Sequence, residues 1–178
     1  MGRVEIDDIA SFYDIGPDSV ENEPSEPAPD LGVLDGEYVT LGEVNIRLDD
    51  RWKRKEMHGN PSFWLEGRSL RESQVSLEKI DFNRLDTSVI SSVGDFARIF
   101  MTLDDALPST IKVSTHLHSV EVQYESLSDS GIRNIRRLRY WNLPTCYRVL
   151  NFSSFADIYL KNLDYYEAIF NSVVTPES

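Results

Sequence analysis

The chain has 178 residues and a mass of 20.4 kDa, the size of one ordinary domain with a tail and too little for two enzyme-sized domains. Its 18 lysines and arginines stand against 30 aspartates and glutamates, a formal charge of −12, which argues against a simple basic nucleic-acid binder. Hydrophobic residues at 40% suffice for a core, but no apolar run reaches the roughly 18 residues of a spanning helix. The lone Cys146 excludes an internal disulfide framework, and the acidic start (Glu5, Asp7, Asp8) lacks the layout of a secretory signal, which points to synthesis inside the cell.

In chain order, Ile6, Ile9, Phe12 and Tyr13 fall at helical spacing on an acidic peptide. So short a helix is unstable alone in water and would fold in a partner's groove or against its own domain. Residues 17–37, with Pro17, Pro24, Pro27 and Pro29 among acids, read as a disordered linker that buries too little to offset the entropy of ordering. The chain therefore divides into an acidic tail, residues 1–36, and a domain, residues 37–174. Val44, Ile46 and Leu48 alternate as a half-buried strand, and shorter strands are expected at Phe63–Leu70 and Val75–Phe82 with a turn at His58–Pro61.

Val89, Ile90, Val93, Phe96, Ala97, Phe100 and Met101 follow helical spacing behind the candidate caps Asp86 and Thr87, and Pro108 follows their end. Ile111, Val113 and Leu117 occupy one strand phase and Val120, Val122 and Tyr124 the other, so a bulge or bend is expected between them before a turn at Ser128–Gly131. Ile132–Trp141 is ambiguous, its apolar residues recurring every three positions. Pro144 introduces a strand through Phe152, and Ser154-Phe155-Ala156-Asp157 resembles a capping box opening a final helix that runs to Val173. The pattern predicts an α+β domain, mostly an antiparallel sheet covered by two main helices.

The acidity sits at one end. The first 50 residues hold 14 acids against Arg3 and Arg47, leaving 16 charges of each sign for the rest. Within that neutral body Arg51, Lys53, Arg54 and Lys55 form one cluster and Arg133, Arg136, Arg137 and Arg139 another, with no acid from Ser130 to Ala156. Such clusters attract a polyanion, pair with the tail, or form a solvated face, and guanidinium forks favour phosphate.

Chemistry is thin. There is no Gly-rich phosphate loop, no Gly-x-Ser-x-Gly elbow and no His-Glu-x-x-His. His116 and His118, two apart on an expected strand, would share a face at metal-ligand spacing, against a reading as polar residues of an outer face. Cys146 reads as a small buried hydrophobe, and no enzyme and no cofactor are expected. The tail offers Pro24-Ser25-Glu26-Pro27, one position from the Pro-Ser/Thr-Ala-Pro peptides that recruit budding machinery, and Tyr38-Val39-Thr40-Leu41 as a Tyr-x-x-Leu element, unless Tyr38 opens the first strand. Met1-Gly2 is followed by Ile6 where a myristoylation signal prefers Ser or Thr.

An acidic, proline-bearing N-terminus with near-budding peptides ahead of a small α+β domain with localised basic clusters resembles the matrix proteins of rhabdoviruses. The resemblance implies a non-enzymatic viral structural protein of the virion and host cytoplasm, peripheral to membrane. It would self-associate, contact the nucleoprotein or nucleocapsid, bridge it to an anionic membrane surface and engage host budding or trafficking proteins. On this reading Arg51–Lys55 and Arg133–Arg139 meet the polyanion, while Pro24, Ser25, Pro27, Tyr38 and Leu41 recruit partners. The alternative is an intracellular adaptor or viral accessory protein that binds its partner through Ile6, Ile9 and Phe12.

Overall fold

The computed structural model describes residues 26–57, 59–68, 71–81, 94–95, 98, 101–102, 104–116 and 119–175. Among them the chain forms β1 (Glu37–Leu41), β2 (Val44–Leu48), β3 (Trp52–Met57), β4 (Asn60–Leu65), β5 (Ser73–Asp81), β6 (Lys112–Thr115), β7 (Ser119–Leu127), β8 (Arg133–Asn142) and β9 (Cys146–Phe155). Helices α1 (Ala156–Lys161) and α2 (Leu163–Asn171) close it. The expected α+β architecture is the one that forms. β1 and β2 make a two-stranded hairpin, and the others a seven-stranded sheet in the order β3-β4-β5-β9-β8-β7-β6, every neighbouring pair antiparallel.

Two meanders, β3-β4-β5 and β6-β7-β8-β9, thus join through β5 and β9, which pair from Ser73↔Ser154 to Asp81↔Cys146. Strand alternation then gives each face of the sheet its own chemistry. One face carries Phe63, Leu65, Val75, Leu77, Ile135, Trp141, Leu150 and Phe152, packed beneath α1, α2 and the β1–β2 hairpin. Phe152 is the hub, edge-on to Phe170 at 4.8 Å and to Tyr166 at 5.6 Å between ring centroids. Gly42 turns the hairpin with φ +61°, and a Cβ there would stand 2.5 Å from Leu77 Cδ2, so both the backbone and the close approach call for glycine.

Several local expectations are corrected. The basic run at residues 52–57 is strand β3; β4 ends at Leu65 and β5 begins at Ser73. Ile132–Trp141 resolves as β8, buried at most positions on both faces, which is why no period-two pattern survives there. The phase change before Val120 is not a bulge but the turn between β6 and β7, closed by His116 N donating to Ser119 O at 2.8 Å. The final helix is two helices, broken at Asn162.

Nor does Ser154 cap a helix. It is the penultimate residue of β9, its hydroxyl 2.9 Å from that of Ser73, while Phe155 precedes α1 with no side-chain cap. The expected helix of residues 89–101 lies mostly outside the described residues; Gly94, Asp95, Arg98, Met101 and Thr102 are helical. No helix among the described residues is long and apolar enough to cross a membrane.

Candidate functional site

The second basic cluster is not an open surface. On β8, Arg133 meets Glu125 at 2.6 Å, Arg137 meets Glu121 at 2.5 Å and Glu167 at 2.6 Å, and Arg139 meets Glu121 at 3.0 Å. Arg136 points through the opposite face, wholly buried, with Nε 3.2 Å from Asp104 Oδ2. The antiparallel register of β7 against β8, with Glu121 opposite Arg139 and Glu125 opposite Ile135, supplies the acids that residues 130–156 lack. Burial alone would raise Glu121, and the hydrogen bonds and charges of Arg137 and Arg139 more than reverse it, holding the carboxyl below its usual range. Arg137 also lies over Phe170 at 3.7 Å and donates to Tyr159 Oη. The polyanion contact expected of this cluster is therefore corrected for Arg136 and Arg137, which are committed to internal ion pairs, while Arg139 is half-buried against Glu121 and Arg133 keeps an exposed side chain beside Glu125.

The first cluster divides. Arg51 is held by Asp49 at 2.8 Å and Leu31 O at 3.0 Å and stacks on Tyr165. Lys53, Arg54 and Lys55 stay exposed on β3, an edge of the large sheet, with Arg54 on the opposite side from the two lysines by alternation. Lys55 reaches Glu66 only at 3.5 Å, so these cations, with Arg133, are the part of the expected basic surface that faces solvent.

Other bases grip the end of the leader. Arg68 Nη1 donates to Glu26 O at 2.8 Å, Lys161 Nζ to Ala28 O at 2.6 Å, Asn162 Nδ2 to Pro29 O at 2.9 Å, and Arg47 Nε to Gly36 O at 3.1 Å. Asn162 Oδ1 accepts from Leu31 N at 2.7 Å, and Leu31 and Leu34 are buried. Residues 26–36, expected to belong to a structureless tail, are thus seated on the body. Asn162 breaks the helix and, with a second bond from Nδ2 to Ile158 O, joins arm to helix end. Asn162→Ala is expected to cost about 1–3 kcal/mol and to speed hydrogen exchange at the Leu31 amide; unchanged exchange there would contradict the clamp.

Pro27 lies exposed at the start of this arm, whereas Pro24, Ser25, Ile6, Ile9 and Phe12 lie outside the described residues. Tyr38 is exposed on β1 but Leu41 is fully buried in the core, so Tyr38–Leu41 is not displayed as a linear peptide. His116 is exposed in the β6–β7 turn, not on a strand face, and His118 is outside the described residues. No group of three metal-ligating side chains occurs among the described residues. Cys146 is free and buried, burial raising its thiol.

Sequence reading missed the other face of the sheet. One row crosses it as Trp64, Gln74, Ser153, Arg136 and Tyr124, and the next as Ser62, Ser76, Asn151, Leu138 and Val122. Gln74 and Ser76 are fully buried, Asn151 and Ser153 2% exposed, although their alternation with Val75, Leu77 and Phe152 looks in sequence like a solvent face. Asp104, in the connection from β5 to β6, reaches this face through Arg136, and Leu107 N donates to Glu125 O at 2.8 Å. Next in the lattice stands Glu78, whose oxygens accept from Ser76 Oγ at 2.9 Å and Asn60 Nδ2 at 2.5 Å. Burial pushes its carboxyl up to about 7, against the smaller opposing effects of Ser76 and Arg148. The signal that could have found this face is the length of the connection from residue 82 to 111, too long for a turn between antiparallel strands.

An antiparallel β-sheet closed by two C-terminal helices is the frame on which the chain is structurally similar to solved proteins. Cyanobacterial PsbP (CyanoP) from Synechocystis sp. PCC 6803 matches with a TM-score of 0.53 and 10% identity over 86% of this chain and 99% of that one. LpqN of Mycobacterium tuberculosis, involved in cell envelope biogenesis, matches with a TM-score of 0.43 and 12% identity over 80% and 86% of the two chains. No family model matches the sequence, and no curated protein sequence matches it. The likeness to CyanoP is one of fold.

Proposed function

We propose that the chain is a non-enzymatic binding and assembly protein that displays its acidic leader to a protein partner from a fixed exit on the body. The observation that carries this reading is the clamp on residues 26–36. Side chains of Arg68, Lys161, Asn162 and Arg51 hold main-chain carbonyls of Glu26, Ala28, Pro29 and Leu31, so the chain ahead of residue 26 departs from one place beside α1. A short amphipathic peptide such as Ile6–Tyr13 binds weakly alone, and presenting many copies from an assembling body raises its avidity. Full-length protein is expected to retain a partner from lysate of its source cells that the protein lacking residues 1–25 does not, with the same melting temperature for both. Equal retention overturns the reading.

A matrix-like role at an anionic membrane keeps one observation in its favour, the exposed Lys53, Arg54 and Lys55 on β3. At about 1 kcal/mol per cation near an anionic surface, replacing all three by alanine is expected to weaken cosedimentation with phosphatidylserine vesicles by about 100-fold. Deleting the acidic residues 1–25 should strengthen it. Wild-type protein that ignores the vesicles at low salt removes the membrane from the proposal.

A further inference from the structure

We propose that the polar face of the seven-stranded sheet, where β4, β5 and β9 adjoin, is a binding site for a small monocarboxylate held between the side-chain amides of Gln74 and Asn151. Both residues are more than nine-tenths buried, and neither Gln74 Nε2 nor Asn151 Nδ2 has a hydrogen-bond partner among the described residues. Buried donors are rarely left unpaired, and two of them at diagonal positions on adjacent strands call for an acceptor.

The orientation of Gln74 is fixed by its neighbour. Its Oε1 accepts from Arg71 Nη1 at 3.1 Å, and Arg71 is laid over the Trp64 ring at 4.7 Å. Turning the amide over would set donor against donor, so Nε2 faces away from Arg71. Gln74 pairs with Ser153 and Asn151 with Ser76, which makes the two amides diagonal neighbours across β5 and β9. Diagonal positions lie about 7–8 Å apart, and two hydrogen bonds of about 2.9 Å to the two oxygens of one carboxylate span a similar distance.

Charge favours an anion over a cation. Arg71 borders the donors on one side, and Arg136, paired with Asp104, stands beyond Ser153 on the other. The carboxyls of this region are already engaged: Glu78 accepts from Ser76 and Asn60, Glu72 accepts from Arg68 through both oxygens, and Asp104 is paired with Arg136, so none offers an open ligand to a cation.

Titrating sodium acetate into the nitrogen-15-labelled full chain tests the site. The side-chain NH2 resonances of Gln74 and Asn151 are expected to shift saturably, sodium chloride at equal ionic strength to move neither, and acetamide to bind at least tenfold more weakly. In Gln74→Leu the Asn151 response is expected to disappear; should that variant fail to fold, the wild-type titration decides alone. The proposal is overturned by no saturable shift up to roughly 50 mM acetate, by an equal response to acetamide, or by a high-resolution structure in acetate with only water between the two amides.

Discussion

Arg136→Leu is expected to destabilise the protein by about 3–5 kcal/mol, the cost of leaving one member of a buried ion pair alone. Arg136 has no exposed surface and Asp104 only 7%. Removing the guanidinium strands a carboxylate beside the phenols of Tyr124 and Tyr140, both pushed well above their ordinary range by burial first and by the Asp104 charge next. Arg136→Leu with Asp104→Leu together should cost less than the two single changes summed, because neither charge is then orphaned. Urea unfolding at neutral pH measures all three. A surface arginine waiting for phosphate would give a change within about 0.5 kcal/mol, so an Arg136→Leu variant of wild-type stability would restore the polyanion reading of β8. The pair also ties the β5–β6 connection to the sheet, and faster exchange at the Leu107 amide, bonded to Glu125 O, should accompany its loss.

The same arginine shows where one-dimensional reading ends. Strands with one buried face were legible: Val44, Ile46 and Leu48 are buried as their alternation requires, and Ser128–Gly131 turns where its composition says, Gly131 taking φ +82°. β8 was not, because a strand buried on both faces has no polar phase, and its arginines supplied a false one. Their partners Glu121, Glu125, Asp104 and Glu167 come from other elements, and only register brings them near. The single final helix failed for a related reason: Asn162 is unremarkable by spacing, yet its side chain bonds Leu31, more than a hundred positions earlier. The buried polar lattice left no trace either, since Gln74, Ser76, Asn151 and Ser153 alternate as a wet face would.

These failures share a cause that bears on function. In this chain the long cations act largely inward: Arg51 and Arg68 hold carboxylates and the arm at once, Arg137 joins β7 to α2, and Arg148 ties β9 to Glu43 in the hairpin turn. Hydrogen bonds that Arg68 donates to Glu72 and Asp157 raise its pKa further, and Asp157 is held below its usual range chiefly by Arg68. Among the described residues these guanidinium groups are committed to internal contacts, and the exposed cations of β3 are the densest basic run left to solvent. The acidic leader is then a candidate contact for something outside the molecule, since the arm it continues into is held by its backbone and not by its acids.

The second large effect is a pH dependence of opposite sign to ordinary acid denaturation, carried by Glu78. Unfolded, its carboxyl ionises near pH 4.5; folded, burial delays ionisation to about 7. Between those values the native chain holds a proton that the unfolded chain has released, so stability falls as pH rises through the window, by up to about 3 kcal/mol from this group. Glu43, Asp49, Glu121 and Asp157 act the other way, each held below its usual range, and their contribution is lost only as pH falls below about 4. Glu78→Gln separates the two. Glutamine keeps an acceptor for Ser76 Oγ, and the half-buried Asn60 can turn its amide to meet the new NH2. Urea unfolding of the variant is expected to show a gain of about 2 kcal/mol over wild type at pH 8 and none at pH 4.5. A gain independent of pH would assign the effect to packing, and a loss at pH 8 would mean that the ionised carboxylate holds β5 to the β3–β4 hairpin through Asn60 and is the form the fold favours.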